Sequence, residues 1–172
     1  MIKKSRLVVL IAFIAIVPIV FSACGSAKVK TFTNFGMTIT ATNKFKIRDV
    51  AHNTLWLETK TITISGRREM PTINFPITKT LAQYTEEVLW RNRDDFGEEP
   101  TPEVYSEGGT VFHYFFFDRD VGPFEKRTVY TYLAVTMKGT NAFYFFNFAC
   151  EQKDFSKNQS QFWAWAILLE VV

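Results

Sequence analysis

Residues 110–150, TVFHYFFFDRDVGPFEKRTVYTYLAVTMKGTNAFYFFNFAC, decide the fold. Thr110 to Asp118, Lys126 to Met137 and Asn141 to Cys150 are each rich in β-branched and aromatic residues, the composition of strands. Gly122-Pro123 and Gly139-Thr140 stand at the turns between them, which predicts an antiparallel meander. In the third run Tyr144, Phe146 and Phe148 point one way, and Phe143 and Phe145 the other. A sheet with one wet face would alternate apolar with polar residues. This sheet is therefore expected to be covered on both sides.

Toward the C-terminus, Asp154 or Ser156 can cap a helix carrying Phe155, Phe162 and Trp163, and Ile167 to Val172 is expected to close the chain as a strand. Toward the N-terminus, Asp94 to Glu103 holds Gly97, Pro100 and Pro102 and forms a solvated acidic loop. Before it Thr80 and Gln83 make a T-x-x-Q capping box, in which each side chain satisfies an orphan amide at a helix start. Leu81, Tyr84, Val88 and Leu89 then share one helical face. Glu69 to Ile77 carries Pro71 and Pro76, hence an edge strand or a loop. Leu55 to Arg67 alternates through Leu57, Ile62 and Ile64 as one extended run. Met37, Ile39 and Ala41 alternate with threonines behind a turn at Asn34-Phe35-Gly36. The resulting order is β-β-β-α-β-β-β-α-β without an internal repeat. It predicts an α+β fold, a central antiparallel sheet flanked by helices.

The first 23 residues have a different character. Lys3, Lys4 and Arg6 precede an apolar run from Leu7 to Phe21, and Ser22 and Ala23 lead to Cys24. This is the layout of a secretory signal. The run of 15 residues is shorter than the ~20 that a membrane-spanning helix needs. Phe21-Ser22-Ala23-Cys24 resembles the lipobox of bacterial lipoproteins, although Phe21 stands where the pattern usually has Leu, Val or Ile. That resemblance implies lipid attachment at Cys24 and cleavage after Ala23. The alternative is ordinary cleavage, for instance after Ala27, releasing a soluble protein. The expected division is a signal peptide over 1–23, a lipid-anchored tether over 24–30 and a globular domain over 31–172.

Removing residues 1–23 takes three of the 20 basic residues and none of the 17 acidic ones, so the mature chain is formally neutral. A neutral chain without a basic stripe lacks the electrostatic footprint of a nucleic-acid-binding protein. Lys28 and Lys30, beside the anchor, can meet anionic lipid or serve only as a polar tether.

Chemistry-bearing residues are few. With Cys24 acylated, Cys150 is left as a lone thiol at the end of an aromatic run, where it is expected to pack as a small hydrophobe. His52 and His113 would serve a hydrolase only beside a nucleophile and an orienting carboxylate, with Cys150 and Asp118 as candidates if the fold joins them. Asp94-Asp95 with Glu98-Glu99 lacks the ligand alternation of a calcium loop. No catalytic, cofactor or metal residue is assigned. The chain holds 18 Phe, 6 Tyr and 4 Trp. The aromatic runs at Phe112–Phe117 and Phe143–Phe148 are expected to be core, or else to present an exposed aromatic patch to a partner or line a pocket for an apolar ligand.

The mature chain resembles the PsbP-like superfamily, which includes Mog-type Ran-binding proteins and bacterial DcrB-type lipoproteins. The likeness rests on Phe35-Gly36-Met37-Thr38-Ile39, the helix Thr80-Leu81-Ala82-Gln83-Tyr84, and the strands Phe112-His113-Tyr114-Phe115, Tyr130-Thr131-Tyr132-Leu133 and Phe143-Tyr144-Phe145. It implies a small α/β/α sandwich that works by binding other proteins, with no shared catalytic residues. The expected protein is a non-catalytic binding or assembly module. It is held by lipid on Cys24 at the extracytoplasmic face of the cell membrane, with an envelope protein as partner. A carrier of a small apolar ligand is the alternative.

Overall fold

A computed structural model describes residues 28–48, 53–96, 98–123 and 127–172. The long meander forms as expected. Strands β7 (Thr110–Val121), β8 (Thr128–Lys138) and β9 (Phe143–Glu151) pair antiparallel, with Leu133 opposite both Phe116 and Phe148. They sit inside a seven-stranded antiparallel sheet that also contains β3 (Lys46–Arg48), β4 (Thr54–Glu58), β5 (Ile62–Glu69) and β6 (Glu103–Glu107). Its order is β3-β4-β5-β9-β8-β7-β6. A second sheet of three strands joins β1 (Val29–Asn34), β2 (Met37–Thr42) and the short β10 (Glu170–Val171), in the order β1-β2-β10. The helices are α1 (Leu81–Asn92) and α2 (Gln152–Ile167).

Along β9 both faces of the large sheet are largely buried, and the alternation along this strand assigns its rings. Tyr144, Phe146 and Phe148 enter one core with Phe112, Leu133, Phe162 and Trp165, under α2 and the small sheet. Phe143 and Phe145 enter the other, with Tyr84, Val88 and Leu89 of α1. Each fully buried ring contributes ~1.5–3 kcal/mol, so β9 is the spine of the molecule. Gly66 lies opposite Phe146 in β5. A Cβ there would stand 2.7 Å from that ring and 3.0 Å from Met37 Sδ. The missing side chain lets the two sheets close on each other.

Several boundaries differ from the sequence-based expectation. The protein is mostly sheet with two helices, richer in strand than a helix-flanked sandwich. One helix, with Phe75, Ile77 and Phe96 from the segments beside it, covers part of one face, while a helix and three strands share the other. Leu55 to Arg67 is a hairpin, broken at Thr59-Lys60-Thr61, where the Thr59 hydroxyl accepts from the Thr61 and Ile62 amides at 3.2 and 3.0 Å. Glu69 ends β5, and Met70 to Thr80 is loop. β3 and β6 are edge strands whose side chains mostly face solvent, so they carry no burial period. α2 starts straight from β9 at Gln152 with no side-chain cap, ahead of Asp154 and Ser156. It runs through Ile167 and leaves β10 two residues. β1 starts at Val29, inside the expected 24–30 tether. The α1 capping box forms as expected, with Gln83 N to Thr80 Oγ1 at 3.2 Å and Thr80 N to Gln83 Oε1 at 2.9 Å.

Candidate functional site

The residues considered for hydrolytic chemistry do not meet. His113 points to the α1 side, where its Nδ1 lies 3.2 Å from Thr85 Oγ1, which is itself 2.7 Å from Thr136 Oγ1. Burial lowers the imidazole pKa, which favours the neutral ring. Asp118 is five residues along the same strand and so faces the opposite side. It accepts hydrogen bonds from Thr131 Oγ1 and from Gln152 Nε2, the latter at 2.7 Å. Cys150 is buried, its thiol pKa pushed up by that burial, with Asn158 Nδ2 at 3.9 Å. Thr131 stands between Asp118 and Cys150 in the sheet register, which separates the two by about 10 Å of backbone. His52 and Cys24 lie outside the described residues.

The acidic stretch forms no metal centre among the described residues. Asp94 and Asp95 sit in a 3-10 turn, and Asp95 pairs with Arg119 at 2.9 Å. The aromatic runs fill the core. Tyr105 stacks on Phe112 at 4.6 Å, Phe117 on Tyr132 at 4.6 Å, and Phe162 meets Trp165 at 6.0 Å.

The concavity with the most distinctive lining lies at the β3–β4 edge. It is a groove of about 600 Å³ whose floor includes Phe45 and Trp165 and whose rim carries Lys44, Lys46 and Lys60. The local sequence explains it. Lys44-Phe45-Lys46 carries the chain from the small sheet to the large one. Phe45 turns inward and packs edge-on against Trp165 at 5.3 Å, which leaves the flanking lysines outside. Lys60 is the middle residue of the β4–β5 turn. Thr42, Thr59, Thr61 and Gln161 add polar groups. The one carboxylate in the lining, Glu58, is held by Arg48 Nε at 2.6 Å. The ammonium groups of Lys44, Lys46 and Lys60 have no hydrogen-bond or ion-pair partner among the described residues.

Lys28 belongs to the same end, since its carbonyl accepts from the Asn43 amide at 2.7 Å. Val29, half exposed, pairs with Thr42, and Ile47 beside Lys46 is 60% exposed. The sequence did flag Lys28, but not Lys44, Lys46 or Lys60. Lys60 comes from a different segment than Lys44 and Lys46, and β3, a strand with no pattern of its own, brings them together. The alternation of Lys44-Phe45-Lys46 around one ring was the available signal.

No family model and no curated protein sequence matches this chain. Solved structures do. Cyanobacterial PsbP (CyanoP) from Synechocystis aligns over 87% of this chain and 95% of its own, with a TM-score of 0.59 and 15% identity. The Saccharomyces cerevisiae Ran-binding protein Mog1p aligns over 86% and 97%, with a TM-score of 0.55 and 8% identity. A Bacteroides thetaiotaomicron protein aligns over 83% of this chain at a TM-score of 0.54 and 11% identity, and this chain spans about half of it, 48%. The likeness is one of fold: the chain has the PsbP/Mog1p architecture.

Proposed function

We propose that this protein is a lipid-anchored, extracytoplasmic, non-catalytic binding or assembly module of a bacterial membrane. The segment Phe21-Ser22-Ala23-Cys24 behind a charged, apolar leader carries the reading. The separation of His113, Asp118 and Cys150 favours binding over catalysis. The rings of the aromatic strands stack on one another, which favours a packed core over an apolar carrier's cavity. An envelope protein is the proposed partner, and the membrane is reached through acyl chains on Cys24, each buried methylene adding ~0.8 kcal/mol.

The test is metabolic labelling with a clickable fatty acid, followed by fractionation of cells making the full chain or Cys24→Ala. Label on the wild-type product, membrane retention, and loss of both in Cys24→Ala are expected. An unlabelled product recovered from the soluble envelope fraction would replace this reading with a secreted protein. Crosslinking in the native membrane then identifies the partner, with Cys24→Ala as the unanchored control.

A further inference from the structure

We infer that the groove edged by Lys44, Lys46 and Lys60 seats the domain on anionic phospholipid, taking a headgroup phosphate between the lysines. The inference rests on the lipid anchor proposed above. Only Gly25, Ser26 and Ala27 separate Cys24 from Lys28. Four backbone steps reach at most about 14 Å. Lys28 is hydrogen-bonded to Asn43, next to Lys44. A lipid on Cys24 therefore brings this end of the domain to the headgroups, whatever path the three residues take.

What the fold presents there suits such a surface. The lysine side chains lack partners among the described residues, and the acid in the groove lining is neutralised by Arg48. Exposed Val29 and Ile47 stand beside them. Basic and apolar side chains together are the composition of interfacial binding, where the cations meet phosphate and the apolar groups enter the headgroup layer. The groove can admit a single headgroup, and exposed Thr61 adds a hydroxyl at its rim. The opposite edge of the sheet carries Glu103 and Glu107 on β6, so its charge directs it away from an anionic membrane.

The experiment uses the isotope-labelled product of the full chain, purified with its processing intact in neutral detergent. Short-chain phosphatidylglycerol, short-chain phosphatidylcholine and inorganic phosphate are titrated separately while backbone amides are followed by NMR. Phosphatidylglycerol is expected to move the signals of Thr42–Lys46 and Thr59–Ile62, and phosphatidylcholine is not. Lys44→Gln with Lys60→Gln is expected to weaken that response roughly thirtyfold without shifting distant signals, since both side chains are exposed. Equal responses to the two lipids, shifts mapping elsewhere, or an unaffected double variant would overturn the inference. So would inorganic phosphate moving the same signals as strongly, which would make the groove a site for a soluble anion. The mass of the same product separates the two ideas. An acylated product without a phosphatidylglycerol response overturns the groove and leaves the anchor. An unacylated product with that response removes the anchor and supports the headgroup site.

Discussion

The two edges of the seven-stranded sheet carry opposite charge and use it differently. Around β6 and β7 the acids are engaged within the fold. Glu103 accepts from Tyr114 Oη at 2.6 Å, Asp118 holds Thr131 and Gln152, and Asp95 pairs with Arg119. Around β3 and β4 the lysines stand without partners among the described residues. Charge matched inside a protein fastens elements together. Charge left unmatched costs some mutual repulsion and remains free to meet something else. The difference separates an edge that maintains the structure from one that is available for binding, although residues 24–172 together carry a formal charge of zero.

Both edges belong to one sheet, and its spine can be broken deliberately. Phe146 is fully buried on β9 against Gly66. Phe146→Ala should cost ~3–5 kcal/mol in urea unfolding and damage both edges together. Asp118→Ala should cost about 2 kcal/mol, because it strands the buried Thr131 hydroxyl and frees Gln152 at the start of α2. The response of the groove to phosphatidylglycerol should survive that change. If Asp118→Ala were neutral in urea, the acidic edge would not be the fastening edge.

Much of this was legible in the sequence, and what was not has physical causes. The meander, the double-sided burial of β9 and the α1 cap follow from alternation, turn residues and a capping box, all local signals. β3 and β6 were invisible because edge strands exposed to water show no burial period. The Thr59-Lys60-Thr61 turn has no Gly, Pro or Asn, so the two strands around it ran together. The basic groove was missed for a different reason. A net charge counts residues but does not locate them, and Lys28, Lys44, Lys46 and Lys60 are brought to one end only by sheet order. Cys24 and His52 lie outside the described residues.

Smaller effects sharpen the contrast. Glu58→Gln removes the groove's one carboxylate and releases Arg48. It should strengthen the phosphatidylglycerol response about fivefold in the same titration. Its stability cost should stay below ~1 kcal/mol, the range of exposed ion pairs. Lys44→Gln with Lys60→Gln should change the unfolding free energy by no more than about 0.5 kcal/mol, in contrast to Asp118→Ala. A larger loss would mean that these lysines also belong to the structural part of the molecule.

The acidic edge should also show a pH dependence. Burial, and after it the Glu103 carboxylate that accepts its proton, hold the Tyr114 phenol pKa up at about 12. An unfolded tyrosine titrates near 10. Below pH ~10 both states keep the proton and this contribution to stability is complete. Between there and about 12 the unfolded chain releases its proton first, so stability falls as pH rises. Other tyrosines contribute to the same decline, which is why the difference between wild type and Tyr114→Phe is the quantity to measure. That difference should be constant at neutral pH and shrink above pH ~10, as the wild type loses what the variant never had. A pH-independent difference would show that Glu103 and Tyr114 are neighbours without coupling. The acidic edge would then resemble the basic one more closely than its hydrogen bonds suggest.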